Sequence, residues 1–318
     1  MSKNRKIKPP RSRFIETKDG RLLNRSPIGY LYMLVPLLFL VLFLLYPAIK
    51  ACRMAFYEKF VYITSEGSGF GLSSFEYVLK DPTFWLAAKN TGILLLVALP
   101  ITVILALVLA LLINSVPKFQ NFFQTTYFLP YVTSAIAIGS AFRWMFHSEY
   151  GYITWFMNLL GFEGNSWLTD SSLVIWTLSI FCIWNGLAYK IILFLAGLQK
   201  IDKEVYKAAK IDGTSPMRTT IRITLPLLTP TTWMVALTSM IYTAKTYNEV
   251  YALFSGYGGG GTAGNGNNAI TIVYYIYYQF TQRGKVNYAA AAAVIFLVFI
   301  ILLTVIQRTI SKKLTHYV

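Results

Sequence analysis

Residues 200–230, KIDKEVYKAAKIDGTSPMRTTIRITLPLLTP, form a polar, basic interruption in a chain that is otherwise as hydrophobic as a bilayer interior requires. Ile201, Val205, Ala208, Ala209 and Ile211 recur at three- and four-residue spacing, which predicts a short amphipathic helix opened by Asp202 as N-cap. Lys203, Glu204, Lys207 and Lys210 fall on its other face. Gly213 suits the position just past a helix end, and Ser215 followed by Pro216 reads as an N-cap with proline opening a second helix. The chain is expected to turn sharply at Gly213 and to present, between two hydrophobic spans, an element that a partner outside the bilayer can grip.

The rest of the composition supports that setting. Of 318 residues 55% are hydrophobic and only 13% charged, against about 25% charged in typical soluble domains. The expected fold is an all-α integral membrane protein. The net charge of +16 would raise nucleic acid as a partner in a soluble protein. Here the basic residues gather at the edges of apolar runs and report topology, so no nucleic-acid role is expected. Cys52 and Cys182 have no metal or redox spacing, His147 and His316 are isolated, and no Walker A sequence occurs. No catalytic residue and no metal site are therefore expected, and energy must come from a partner.

Taken in order, residues 1–27 are a basic cytoplasmic arm with nine Lys/Arg against Glu16 and Asp19, expected to be disordered at first and to lie against an anionic leaflet. Residues 28–310 form a six-helix transmembrane domain, and 311–318 a cytoplasmic tail. The predicted spans are about 28–49, 92–113, 126–146, 173–198, 226 to beyond Lys245, and 288–306, each near the roughly 20 apolar residues a bilayer core needs. Pro130 is expected to loosen the third span. Its small residues, Ser134, Ala135, Ala137, Gly139, Ser140 and Ala141, are expected to bury it within the bundle. The arm, the loop after the second span, residues 200–225 and the tail hold nineteen basic residues. The other loops, with Lys89 at the edge of the second span left out, hold six: Lys50, Arg53, Lys59, Lys80, Arg283 and Lys285. By the positive-inside rule both termini and residues 200–226 are cytoplasmic.

The run Tyr206-Lys207-Ala208-Ala209, two residues, Asp212-Gly213, nine residues, then Ile223-Thr224-Leu225-Pro226 resembles the EAA loop of permease subunits of binding-protein-dependent ABC importers. That family's pattern is Glu-Ala-Ala, three residues, Gly, nine residues, Ile-x-Leu-Pro. The segment GFGLSSFEYVLKDPTFWLAAKNT (69–91) and the tyrosine-rich TIVYYIYYQF (271–280) also resemble sugar permeases of the maltose, multiple-sugar and glycerol-phosphate type. Asn90 and Thr91 in the first of these are expected to cap the second span. The resemblance implies the type I importer permease fold, with an ATPase-coupling set of Glu204, Tyr206, Lys207, Ala208, Ala209, Asp212, Gly213, Leu225 and Pro226. Lys207 stands where the family usually has a glutamate that pairs with the ATPase. Either Glu204, one turn earlier, takes that role or the partner carries a complementary change.

Trp184, Asn185, Gly186 and Tyr189 in the fourth span, with Tyr242, Lys245, Thr246 and Asn248 in the fifth, mix aromatic faces with hydrogen-bonding groups, as a solute path does. Packing between helices is the plainer reading of the same residues. Arg143 and Lys190 either snorkel or face a cavity. Residues 256–266 are a Gly-rich outer loop, and Gly258, Gly259, Gly260 and Gly261 are its candidate contact with an extracytoplasmic solute-binding protein; a flexible connector is the alternative.

The resemblance implies a transmembrane subunit that imports a sugar or oligosaccharide in the cytoplasmic membrane of a bacterium or archaeon. It implies a second homologous permease subunit, and two ATPase subunits that carry ATP and Mg as the only cofactors. A non-sugar solute (a glycerol phosphodiester, polyamine or peptide) is the alternative. A secondary transporter is a further rival, against which counts the expectation that no acid lies deep in a span.

Overall fold

The computed structural model describes residues 14–16, 22–24, 28–61, 64, 66–161, 166–254 and 263–314. Gly258 to Gly261 lie outside the described residues, as does His316. The chain divides into two units, Met1–Arg53 and Met54–Val318.

In the first unit, strands β1 (Phe14–Glu16) and β2 (Leu22–Asn24) pair antiparallel, where the sequence reading expected a structureless arm. Helix α1 (Ile28–Leu40) passes through a π-helical turn (Val41–Leu45) into α2 (Tyr46–Ala55). Pro36 lies inside α1 and does not end it. The second unit begins with a hairpin, β3 (Tyr57–Val61) and β4 (Glu66–Phe70). It continues in helices α3 (Ser73–Lys80), α4 (Pro82–Ile93) and α5 (Leu99–Asn114). Next come α6 (Gln120–Val132), α7 (Ala135–Met145), α8 (Tyr152–Leu159) and α9 (Val174–Gln199). The chain finishes with α10 (Lys203–Ile211), α11 (Pro216–Thr219), α12 (Leu225–Ala244), α13 (Asn248–Phe254), α14 (Ile272–Thr281) and α15 (Val286–Leu314).

Three helical segments widen into a π turn: Val41–Leu45, Leu94–Ala98 and Thr220–Thr224. Each is followed two residues later by a proline, Pro47, Pro100 and Pro226. A proline inside a helix donates no hydrogen bond, and its ring crowds the carbonyl four residues earlier, which lies within the widened turn each time. The wider turn lets the helix pass the proline without ending.

Among the described residues four helical stretches are long and apolar enough to cross a membrane: Tyr30–Ala55, Pro82–Asn114, Val174–Gln199 and Val286–Lys313. The fourth span matches its predicted limits within a residue. The second begins ten residues earlier than expected, because Asp81 caps it: its side chain accepts from the Thr83 N–H at 2.9 Å and Pro82 opens the helix. Asn90 and Thr91 are therefore not caps. Both are buried inside the helix, where Asn90 Nδ2 donates to the Asn268 and Ile270 carbonyls (2.8 and 2.9 Å) and Thr91 Oγ1 accepts from the Ile272 N–H (3.0 Å). They pin the segment before α14 to the second span. Asp81 Oδ2 adds a second tie, accepting from the Tyr275 hydroxyl at 2.8 Å and from Gln279 Nε2 at 3.2 Å.

The third predicted span is two helices. The backbone is extended at Thr133 and Ser134, three residues after Pro130, and α6 and α7 lie on either side. Of its small residues only Gly139 is buried, against Ala252 of α13; a Cβ at Gly139 would overlap the Ala252 side chain. Ser134, Ala137 and Ala141 are exposed, so the expectation of a wholly buried span is corrected. The sixth span is longer than predicted, since α15 continues through Leu314. Two apolar cores hold the second unit. One gathers Phe142, Phe146, Phe181, Tyr274, Tyr275 and Ala290 to Ala292. In the other, Ala106 and Ala110 of α5 present a flat face to Ile191, Phe194 and Leu195 of α9, with Leu228 and Val235 of α12. In a bilayer such close approach, not exclusion of water, holds helices together.

Candidate functional site

The solute-path candidates converge where α9 and α12 face each other. On α9, Asn185 and Tyr189, and Gly186 and Lys190, are four residues apart and so share one side of the helix. A Cβ at Gly186 would stand 2.6 Å from Lys190 Nζ and displace the ammonium, which donates to the Gly186 carbonyl at 3.0 Å. From α12 come Thr238, Ser239 and Tyr242, and from α6 Tyr131; together they enclose a cavity of about 110 Å³. A second cavity, of about 240 Å³, shares Tyr131 and Asn185 as its wall and adds Trp184, Tyr127 and Pro130. Tyr131 and Tyr189 stack at 5.9 Å, while Tyr189 and Tyr242 remain 42% and 45% exposed. The first cavity is smaller than the roughly 300 Å³ of ordinary ligand sites. With exposed rings at its edge, it has the form of half a site.

Helix α12 ends at Ala244, and Lys245 to Tyr247 form a break before α13. That break returns Glu249 toward α12. The Tyr242 hydroxyl donates to Glu249 Oε1 at 2.9 Å, and Asn185 Nδ2 lies 3.3 Å from the Tyr242 hydroxyl and 3.4 Å from Glu249 Oε1. Glu249 is buried, on the short helix α13, outside the four helical stretches long and apolar enough to cross a membrane. Lys190 is buried as well, 4% exposed, so the snorkelling reading is set aside. Its ammonium lies 5.9 Å from the Tyr242 ring centre.

Four of the eight candidates, Asn185, Gly186, Tyr189 and Tyr242, line the first cavity, and Trp184 lines the second. The remaining three do not line either. Lys245 and Asn248 are exposed at the break. Thr246 is buried and structural, its hydroxyl donating to the Thr243 carbonyl (2.7 Å) and its carbonyl accepting from Thr271 Oγ1 (2.6 Å). Sequence reasoning missed Glu249, Ser239 and Tyr131. The polar run from Lys245 onward was the available signal for Glu249; the two others look like ordinary span residues. Arg143 does not face the cavity: Nε donates to the Leu253 carbonyl at 3.0 Å and Nη2 to that of Ala252, which closes the end of α13.

The loop that joins α9 to α12 takes the form expected of it. Asp202 Oδ1 accepts from the Glu204 N–H at 2.9 Å, and Ser215 Oγ caps α11. Gly213 has φ +66, a left-handed conformation that side chains other than glycine resist. Ala209 is buried, and the Tyr206 hydroxyl meets Thr224 Oγ1 at 3.3 Å, which braces α10 against the π turn that leads into α12. The apolar stripe is only partly turned inward: Val205, Ala208 and Ile211 are exposed, Ile211 by 86%. Lys207 pairs with Glu204 at 2.7 Å, and both are exposed. Leu225 and Pro226 open α12 directly after its π turn.

These features define a helical membrane protein in which an exposed loop helix connects the two walls of a polar cavity. Residues 93–316 match the family described as binding-protein-dependent transport system inner membrane component. The chain is 32% identical over 235 residues to the lactose transport system permease protein LacF of Rhizobium radiobacter, covering 72% of this chain and 77% of that one. It is 33% identical over 233 residues to the arabinooligosaccharides transport system permease protein AraP of Bacillus subtilis (strain 168), covering 73% of each. Its fold is similar to a chain in the crystal structure of a bacterial ABC transporter that imports the acidic polysaccharide alginate. There the TM-score is 0.75 at 23% identity, with 92% of this chain and 97% of that chain covered. The protein belongs to the family of membrane permease components of binding-protein-dependent transport systems.

Proposed function

We propose that this permease component is a sugar or oligosaccharide importer subunit of an ATP-driven complex in a bacterial or archaeal cytoplasmic membrane. Six spans place both termini and α10 in the cytoplasm. Two ATPase subunits supply the energy from ATP and Mg, a second homologous permease chain completes the path, and an extracytoplasmic binding protein delivers the solute. The observation that carries the reading is connectivity. The helix α10 joins α9 to α12, and those two helices carry most of the cavity wall. A displacement of α10 by a closing ATPase pair is transmitted to both walls at once. The names of its relatives, permeases for lactose and arabinooligosaccharides, support a saccharide as solute. The coupling role falls to the exposed face of α10, with Glu204, Lys207, Ala208 and Asp212, and to Gly213 at its end.

The test is ATP-dependent uptake by the complex reconstituted in vesicles with labelled oligosaccharides. Uptake of an oligosaccharide that stops when ATP is withheld supports the reading. Transport by this chain alone, without ATP, would overturn it.

A further inference from the structure

The first cavity holds two polar groups whose bonding is incomplete. Lys190 is its only charged lining residue; its ammonium has three N–H bonds and uses one on the Gly186 carbonyl. No carboxylate pairs with it among the described residues. Glu249 does not line the cavity and is engaged by Tyr242 and Asn185. Ser239, on α12 in the same lining, is buried, 3% exposed, and its Oγ has no hydrogen-bond partner among the described residues. Buried charges and hydroxyls are ordinarily satisfied, and a pair of unsatisfied donors in one cavity is a vacancy for an acceptor. The neighbouring surfaces, the stacked rings of Tyr131 and Tyr189, suit the C–H face of a sugar ring.

We propose that Lys190 and Ser239 receive a carboxylate and that the solute is an acidic saccharide, one bearing a uronate. This rests on the sugar-importer reading above and adds the charge of the solute to it. The ammonium and the hydroxyl donate to the two carboxylate oxygens, while Asn185 Oδ1 and Thr238 Oγ1 remain to accept from ring hydroxyls, the Asn185 amide and the Thr238 hydroxyl proton being engaged within the protein. A neutral sugar leaves the Lys190 charge buried and unanswered, and so binds less tightly. Gly186 is part of the device, since its missing side chain lets the ammonium lie at the cavity wall.

The experiment uses the whole transporter in nanodiscs, without the binding protein, so that the latter's own selectivity does not contribute. Equilibrium binding is measured for labelled digalacturonate, its dimethyl ester and digalactose. Digalacturonate is expected to bind at least about tenfold more tightly than either neutral compound. Lys190→Met should abolish that preference, so that acid and ester bind alike, and Lys190→Arg should retain most of it. Gly186→Ala, which keeps the charge but displaces the ammonium, should reduce the preference and serves if Lys190→Met fails to assemble. Equal binding of acid and ester by the wild-type complex, or a preference that survives Lys190→Met, overturns the proposal and leaves the importer reading standing. If neither acid nor neutral saccharide binds, while the complex takes up a solute of another class, both fall.

Discussion

The α10 loop and the α9–α12 cavity are built on opposite principles. The loop is local: Asp202, Gly213, Ser215 and Pro216 set its turns within a few residues of where they act, and most of its side chains are exposed. The cavity is assembled at a distance, with Asn185 reaching Glu249 across 64 positions, and Lys190 and Ser239 at its back are buried while the tyrosines at its edge are exposed. If the loop is gripped by an ATPase subunit, as proposed above, it has to be shaped before the partner arrives, and its own sequence specifies that shape. A cavity inside the bundle takes its shape from how the spans pack, and no short stretch contains it.

Substitutions should separate the two regions by what they damage. The largest effect is expected at Gly139, where a valine would overlap Ala252 and force α7 from α13. Overpacking of this kind costs about 1–3 kcal/mol, so Gly139→Val should lower the melting temperature in mild detergent more than any change in the loop. Asn90→Ala should follow closely, since it leaves the Asn268 and Ile270 carbonyls without their donor, at about 1–3 kcal/mol. Its signature would be faster hydrogen exchange in residues 268–272.

Gly213→Val should behave differently. There is open space around the position but φ is +66, so the penalty is conformational, about 1–2 kcal/mol, and confined to the loop. Uptake in reconstituted vesicles should fall at least about tenfold while insertion and detergent stability hold; unaffected uptake would remove α10 from the coupling path. Glu204→Gln should have the smallest effect on stability, about 0–1 kcal/mol for an exposed pair. If Glu204 takes over the role of the family's glutamate, ATPase activity will uncouple from transport in this variant, and if the partner has adapted to Lys207 instead, coupling will persist. Thermal melts alongside ATPase and uptake rates distinguish the outcomes.

The same contrast explains what the sequence made legible. The caps at Asp202 and Ser215, the left-handed Gly213 and the limits of the fourth span follow from local spacing and periodicity, and the structure has them. Asn90 and Thr91 were misread because an Asn-Thr pair beside an apolar run has the chemistry of a cap; only the chain 180 positions away reveals their partners. The small residues of the third span were taken as evidence of burial, but small side chains permit close approach without requiring it, and α7 uses only the Gly139 side. Lys190 and Glu249 were visible as charges. That one is the free donor of a cavity and the other is already satisfied depends on Gly186 and Tyr242, which no spacing rule joins to them.

The contact of Gly139 with Ala252, together with the Arg143 guanidinium on the last carbonyls of α13, splints α7 to α13. Both helices begin at a break in the chain, α7 after Ser134 and α13 after Tyr247. The two therefore make a single lever with paired pivots. A displacement of α7 that keeps this contact carries α13 with it, and with α13 the Glu249 carboxylate that Tyr242 and Asn185 engage.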